Sequence, residues 1–542
     1  MYYKEKKEQI SRAVQFKHIV FVFLFSVLLI LPGWQAVKAQ DREVTILYTN
    51  DFHSAFNPIP AYWIKGSPKL GGAAYLTTFI RQTRKRDSRN STVFLFDSGD
   101  MFTGMLSNLT HGRALMNMMT SIGYDAMDIG NHEFDYTSKN LKKQIYLVSF
   151  PILGANIYYK GTNYRYSRPY TIIERNGIRI GVIGIIGKDA LSVISTTDVA
   201  DLDFRNPIPE LRKDVAKLRP YVDLIVVLAH EGFPGPMQTD AEAQPGVQRK
   251  FPEDIKVASA VPGIDVFIAG HSHIGIETPY VVKKTGTIIV QTYGYGTRLG
   301  YLKLLLGPNG IISYKGKLLK VWSDSLRPDP AVSSLLKNYK KKYASFIGEV
   351  VGHLKMRLVR EYNAESPLGD FVTDVMRKVS GVDIAFENAG GLRADIPEGA
   401  VTKGDVLNAL PFKDLLVLSN MTGAQISAVL EQGLTLEAGM IQVSGIRAHY
   451  DMSRPSGHRL IDVQIDGRPI NMKAMYRVAE TSFIGEGGDH YKTFTKVAET
   501  PYISKKWWLY DVVNDYFRKH GKIKFPTMGR LIPMKSAWQS EK

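Results

Sequence analysis

Between Val44 and about Gly300 the chain repeats one pattern: a short β-branched or aliphatic run that ends in a polar cluster and is followed by a segment with helical spacing. The runs are "EVTILYTNDFH", "STVFLFDSGD", "IRIGVIGIIG", "VDLIVVLAHEG" and "DVFIAGHSH". A short run that is apolar on every residue suits a strand buried on both faces, with helices between strands covering the sheets. The expected fold class is therefore α/β, a sandwich of sheets and helices. In such folds functional groups collect at the strand ends.

The pattern breaks at "SDSLRPDPAVSSLLKNYKKKYASF", where prolines 328 and 330 precede a Lys-rich stretch with helical spacing and no strand. Beyond it, "VDIAFENAGGLRADI", "ALPFKDLLVLSNM", "QISAVLEQGL" and "YRVAETSFIGEGGDHY" alternate strand and helix again. The expected division is a first domain over 40–321, a linker or hinge helix over 322–346 and a second α/β domain over 347–542. A length of 542 residues, 44% hydrophobic and 22% charged, fits two sizeable cores and argues against disorder.

Residues 1–39 read as a targeting segment. A charged stretch, "KEKKEQISRAVQFKH", leads into a run from Ile19 to Leu31 that is apolar but for Ser26, then Pro32, Gly33 and the small-residue ending "AVKA". The run falls short of the ~20 residues needed to span a bilayer core of ~30 Å. Cleavage after Ala39 is expected, leaving an exported chain, periplasmic or extracellular, with no stable membrane anchor.

With no cysteine in the chain, disulfides and thiolate metal sites are excluded, so any metal must be held by nitrogen and oxygen. The formal charge is +17, and removing the six Lys/Arg and two Asp/Glu of residues 1–39 leaves +13. Runs such as "RQTRKR" and "KNYKKKY" read as solvated helix faces, because no nucleic-acid motif is interleaved with them. A nucleic-acid polymer is not an expected partner. A basic surface still attracts small anions.

The polar clusters carry the chemistry. They hold Asp51 and His53 in "NDFH", Asp100 in "DSGD", Asn131 and His132 in "GNHEFD", His230 in "LAHEG", and His271 and His273 in "GHSH". Taken singly, Asp and Asn are ordinary turn residues and a lone histidine is ordinarily packed or solvated. Taken together, five of the twelve histidines stand at strand ends of one domain, each within two residues of a glycine or an acid. Such a mixture balances charge around two divalent ions: carboxylates neutralise and bridge, imidazoles give directional nitrogens, and an amide adds a neutral oxygen. In "DFH" and "HSH" the outer residues point the same way if the backbone leaving the strand stays extended. Two metals about 3.5–4 Å apart would activate a bridging water and clamp a phosphorus, which predicts phosphoester hydrolysis.

The ordered set D-x-H, GD, GNHE, H and GH-x-H resembles the calcineurin-like metallophosphoesterase superfamily. The resemblance implies one metal on Asp51, His53, Asp100 and His273, and another on Asp100, Asn131, His230 and His271, with Asp100 bridging. Manganese, zinc, iron and cobalt all suit these ligands. It also implies a catalytic dyad of His132 and Asp135, with Asp135 orienting the imidazole and His132 stabilising phosphoryl oxygens or protonating the departing alkoxide. Glu133 is expected to hold the loop or a ligand in place.

In the second domain, "ENAGGLRADI", "LPFKDL" and "TSFIGEGGDHY" resemble the carboxy-terminal domain of the 5′-nucleotidase and UDP-sugar hydrolase family, and the similarity spans about residues 43–530. The implied architecture is a metallophosphoesterase β-sandwich flanked by helices (α/β/β/α), followed by an α/β nucleotide-binding domain that swings to deliver substrate. By this resemblance Arg393 holds phosphate, Asn388 contacts the nucleoside, Phe412 and Phe483 sandwich the base, and Asp489 contacts the ribose. A guanidinium suits phosphate oxygens, and two facing rings grip a base with little selectivity. The glycines of "AGG" and "GEGG" permit the close backbone approach that a ligand loop needs.

Four positions depart from the family pattern. Pro367 and Asp370 stand in "ESPLGDFV", where relatives usually carry a phosphate-gripping arginine, with Arg357 and Arg360 upstream as substitutes. Ser54 and His490 stand where glycine is usual. The implied activity is that of an exported phosphohydrolase releasing phosphate from nucleoside 5′-monophosphates by in-line attack of metal-bound hydroxide. Alternatives are a 2′,3′-cyclic-nucleotide phosphodiesterase, a UDP-sugar hydrolase, or a nucleotide-binding protein without catalysis. The last predicts damaged ligand clusters, yet all seven metal positions and the dyad are filled.

Overall fold

The structure, a computed structural model, describes residues 41–61, 64–232, 251–497, 499–500 and 508–534. The targeting segment expected over residues 1–39 lies outside the described residues. Among those described, no helix is long and apolar enough to cross a membrane.

Two six-stranded sheets stack in the N-terminal domain. The first runs Gly310–Lys320, Arg298–Gly307, Arg42–Thr49, Thr92–Asp97, Ala126–Asp128, Ile152–Leu153; the second runs Tyr280–Val281, Ile288–Val290, Val266–His271, Leu224–Glu231, Ile178–Ile186, Tyr170–Arg175. The central strands of both are parallel. Ile46, Phe94 and Phe96 meet Val182, Val226 and Ile268 between the sheets. Leu47, Leu95 and Met127 face the opposite way, onto the helices Ala73–Asp87 and Arg113–Ile122. The outer face of the second sheet is covered by Pro207–Leu218 and Pro252–Ala260. This double burial, worth about 1.5–3 kcal/mol per large apolar side chain, is why the strands read as unbroken apolar runs. The expected α/β/β/α order is observed.

Parallel pairing brings the polar ends to one edge. Thr49 lies opposite Asp97, His230 opposite Gly270, and Glu231 opposite His271. Each metal-type residue then falls within a few residues of the same rim.

The helix Pro330–Lys342 is capped by Asp329, which accepts from the Ala331 and Val332 amides and pairs with Arg81. It buries Val332 and Leu336 in the N-terminal domain's outer core. The chain then passes through Ala344–Ile347 to the strand Val350–Leu354.

A five-stranded sheet organises the C-terminal domain, in the order Gln442–Ser444, Ile384–Glu387, Met475–Thr481, Leu416–Thr422, Glu499–Thr500. Ala385 and Ala479 pack on one face with the helices Pro367–Ser380 and Leu509–His520. Phe386 and Val478 pack on the other with the helix Gly423–Gly433 and a four-stranded sheet. Two of the departures from family pattern find their explanation here. Pro367 occupies the first turn of its helix, where proline costs no hydrogen bond, behind the Ser366 cap. Asp370 points into the interior, its carboxylate fully buried and 3.5 Å from Arg530 Nε.

Candidate metal centre and adjoining cavity

Three groups of side chains have ligand atoms within 4.8 Å of one another: Asp51, His53 and His273; His53, Asp100 and His132; and Asp100, His230 and His271. Asp100 belongs to two of them. His53 Nε2 lies 2.9 Å from His273 Nε2, and His273 Nε2 lies 3.5 Å from Asp51 Oδ1. His230 Nε2 lies 3.2 Å from Asp100 Oδ2 and 3.0 Å from Asn131 Oδ1. His230 Nδ1 donates to the Ser98 carbonyl at 2.8 Å, which fixes the hydrogen on Nδ1 and turns Nε2 toward the cluster.

These residues fit divalent ions. Among the described residues, His53 Nδ1 and His271 Nε2 are buried without a hydrogen-bond partner. Two carboxylates buried among imidazoles, with an amide oxygen and no thiolate, form a hard-to-borderline donor set. Burial opposes charge on both members of the Asp100–His230 pair, yet their attraction wins. The imidazole is raised to about 10 and the carboxylate is held well below its usual range.

The backbone reaches this arrangement by a different route from the extended one expected of "DFH" and "HSH". Asp51, His53, Asp100, His271 and His273 all have left-handed backbone, with φ of 52°, 46°, 58°, 70° and 52°. Such positions cost about 1–3 kcal/mol each and cluster where function over-determines the chain. Here the loops curl because the Asp51 amide donates to Gly99 O and the His53 amide to Asp100 O. Ser54 and His490, where relatives carry glycine, are left-handed too, at φ 54° and 64°, so each keeps the conformation a glycine would supply.

Glu133 ties the loops together. It accepts from the amides of Asp100, Met101, Phe102 and Gly130 at 2.8–3.2 Å. A Cβ on Gly130 would fall 2.3 Å from Asp100 Oδ1, so only glycine fits. His132 Nδ1 lies 3.0 Å from Asp135 Oδ1, and its Nε2 lies 3.9 Å from Asp100 Oδ2. Burial disfavours a charged His132, but Asp135 and Asp100 override it and raise its pKa.

A cavity of about 440 Å³ opens against this wall and is lined by both domains. His53, Asp100, Asn131, His132, Asp135, His271 and His273 face it from one side, and Asn388, Arg393, Phe412, Phe483 and Asp489 from the other. Asp51 and His230 complete the clusters from behind. Arg393 lies over the Phe412 ring, 5.7 Å from its centroid, with Nη2 buried and without a hydrogen-bond partner among the described residues. Asn388 Nδ2 donates to Asp489 Oδ2 at 2.7 Å, and burial pushes Asp489 up to about 6. Arg357 and Arg360 do not line the cavity; the Arg357 guanidinium pairs with Asp395, which also accepts from the Arg360 backbone amide. The sequence reading missed other residues around it: Tyr362, Lys413, Glu486, Trp508 and the 193–198 loop, which line it, and Tyr295, whose ring lies 5.3 Å from that of His53. Lys413 and Glu486 stand inside the motifs "LPFKDL" and "TSFIGEGGDHY", and Tyr295 between the glycines of "YGYG"; those were the signals that could have found them.

Residues 44–275 match the calcineurin-like phosphoesterase family, and residues 350–496 match the 5′-nucleotidase C-terminal domain. A 5′-nucleotidase of Vibrio cholerae is 29% identical over 92% of this chain and 94% of its own length. Protein UshA of Yersinia enterocolitica is 27% identical over 91% and 94%. The crystal structure of a 5′-nucleotidase precursor from Thermus thermophilus superposes with a TM-score of 0.77 at 27% identity, covering 91% of this chain and all of that one. The chain thus belongs to the 5′-nucleotidase family of metal-dependent phosphoesterases, with a calcineurin-like domain followed by a 5′-nucleotidase C-terminal domain.

Proposed function

We propose that this protein hydrolyses nucleoside 5′-monophosphates to nucleoside and phosphate. The observation that carries the reading is a single cavity with acid and imidazole clusters on one wall and Arg393, Phe412, Phe483 and Asp489 on the other. Asp51, His53, Asp100 and His273 would hold one divalent ion, and Asp100, Asn131, His230 and His271 a second. When bound, such ions acidify a water and neutralise charge on a phosphoryl group.

The remaining roles belong to the chain's own groups. Asp135 accepts from His132 Nδ1, leaving Nε2 turned to the cavity to carry the proton that departs with the ribose 5′-oxygen. Arg393 offers paired donors to the phosphate. Phe412 and Phe483 hold the base, Asp489 accepts from a ribose hydroxyl, and Asn388 orients Asp489. The reading includes export with cleavage after Ala39, and domains over 40–321 and 347–542 joined through 322–346.

The test is phosphate release by the purified mature chain from AMP, 2′,3′-cyclic AMP and UDP-glucose, in several divalent ions. AMP should be preferred. His132→Ala should lower kcat on AMP by about 10²–10⁴-fold with metal content unchanged. Preference for either other substrate, or an unaltered rate in that variant, refutes the corresponding part.

A further inference from the structure

The two domains are fastened together at the cavity wall through groups given no part in the reading above. Glu486 follows the short helix Ser482–Gly485 that carries Phe483. Its Oε2 accepts from Ser195 Oγ at 3.2 Å, from the Thr196 amide at 3.0 Å and from Thr196 Oγ1 at 2.9 Å. All three donors belong to the N-terminal domain. Nearby, His490 Nε2 lies 3.3 Å from Ser192 Oγ, so the same turn meets the same loop twice.

The gripped loop is part of the cavity. Val193, Ile194 and Thr197 line it beside Phe412, Phe483 and Trp508. This wall is therefore shared between domains and exists only while they are in contact. Among the described residues the Glu486 carboxylate makes no hydrogen bond within its own domain. A half-buried carboxylate that spends all its bonds on one loop of the other domain is placed to hold that loop. Charged acceptors make the stronger class of hydrogen bond, and one oxygen shared by three donors fixes the loop's position as well as its distance.

We propose that Glu486 is a positioning residue for nucleotide hydrolysis: it seats the 193–198 loop against Phe483 and so completes the pocket around the nucleobase. The proposal rests on the reading that the base lies between Phe412 and Phe483. A closed pocket is worth to a substrate only what it adds over the open form, so loosening the loop weakens substrates that have a base and spares those that lack one.

The experiment compares kcat and KM for AMP and for ribose 5-phosphate, which carries the phosphate and sugar but no base, in wild type, Glu486→Ala and Glu486→Gln with matched melting temperatures. Glu486→Ala should lower the AMP to ribose 5-phosphate ratio of kcat/KM at least about tenfold, chiefly through KM for AMP. Glu486→Gln, whose amide oxygen can accept the same donors, should stay within about threefold of wild type. Thr196→Val, which removes one donor from the other side, should fall between. An unchanged ratio in Glu486→Ala, equal losses on both substrates, or a Gln variant as impaired as Ala overturns the proposal. If wild type hydrolyses no nucleotide, the function reading fails by itself, and the grip is judged by trapping. The chain has no cysteine. Asn108 Nδ2 donates to Pro411 O at 2.7 Å across another contact between the domains, so the Asn108→Cys, Pro411→Cys pair reports closure to a short bis-maleimide. Adding Glu486→Ala should slow that trapping severalfold; equal trapping overturns the proposal.

Discussion

The imidazole of His132 and the ring of Phe412 stack across the domain boundary, centroids 5.6 Å apart and planes 19° from parallel. Arg393 lies over the same ring, so one aromatic side chain touches both the dyad and the guanidinium assigned to phosphate. Phe412→Ala should therefore lose the base stack, about 1–3 kcal/mol, or roughly 5- to 150-fold in kcat/KM on AMP. Phe412→Leu separates cover from stacking. It should retain ribose 5-phosphate turnover within about threefold while AMP falls about tenfold. Unaltered AMP kinetics in both variants would rule out the aromatic sandwich.

Metal removal should cost stability as well as activity. Buried carboxylates and imidazoles that converge without a cation leave charge and lone pairs uncompensated. Dialysis against a chelator should lower the melting temperature, and returning a divalent ion at about 100 times its Kd should restore about 2.7 kcal/mol. Calorimetry with and without added manganese measures the difference. Superimposable transitions would count against the centre.

Glu133→Gln is nearly isosteric, but an amide has one acceptor oxygen where the carboxylate has two, and its NH2 would face amide donors. Four backbone N–H groups converge on Glu133. With about 1–3 kcal/mol for a buried donor left unsatisfied, the variant should lose about 2–4 kcal/mol of stability. Because Asp100 rides on the same loop, metal affinity should fall about 10- to 100-fold. Denaturant titration and metal titration measure the two. Wild-type values for both would show that the loops hold without it.

How much of this was legible in sequence depends on how local each feature is. "STVFLFDSGD" reads as a strand because Phe94 and Leu95 face two different cores, so neither alternate position can be polar. The ligand clusters were legible because each is contiguous. Their backbone was not: Asp51 and His53 are curled by bonds to Gly99 and Asp100, residues about fifty positions away. Glu486 and the 193–198 loop carry no periodicity, and what joins them is contact between domains. Asp370 stood out as a departure from pattern only because its partner, Arg530, lies 160 residues further on.

That buried pair gives a prediction about pH. Burial raises the Asp370 carboxyl from 3.8 to about 9, outweighing the nearby Arg530 guanidinium, with Glu365 and Asp374 adding to the rise. The folded protein thus keeps this proton up to about pH 9, whereas the unfolded chain gives it up near pH 4. Between those limits the native state binds more protons, so the contribution of Asp370 to stability is full below about pH 4 and is lost as pH rises through about 9. Asp370→Asn keeps the shape and cannot ionise. Its stability relative to wild type should therefore improve steadily from pH 5 to 9, by at least about 1.4 kcal/mol, the equivalent of one pH unit. Urea midpoints of the two proteins across that range decide the matter. Parallel profiles would mean that Asp370 is ionised in the folded state and that the Arg530 pairing outweighs its burial.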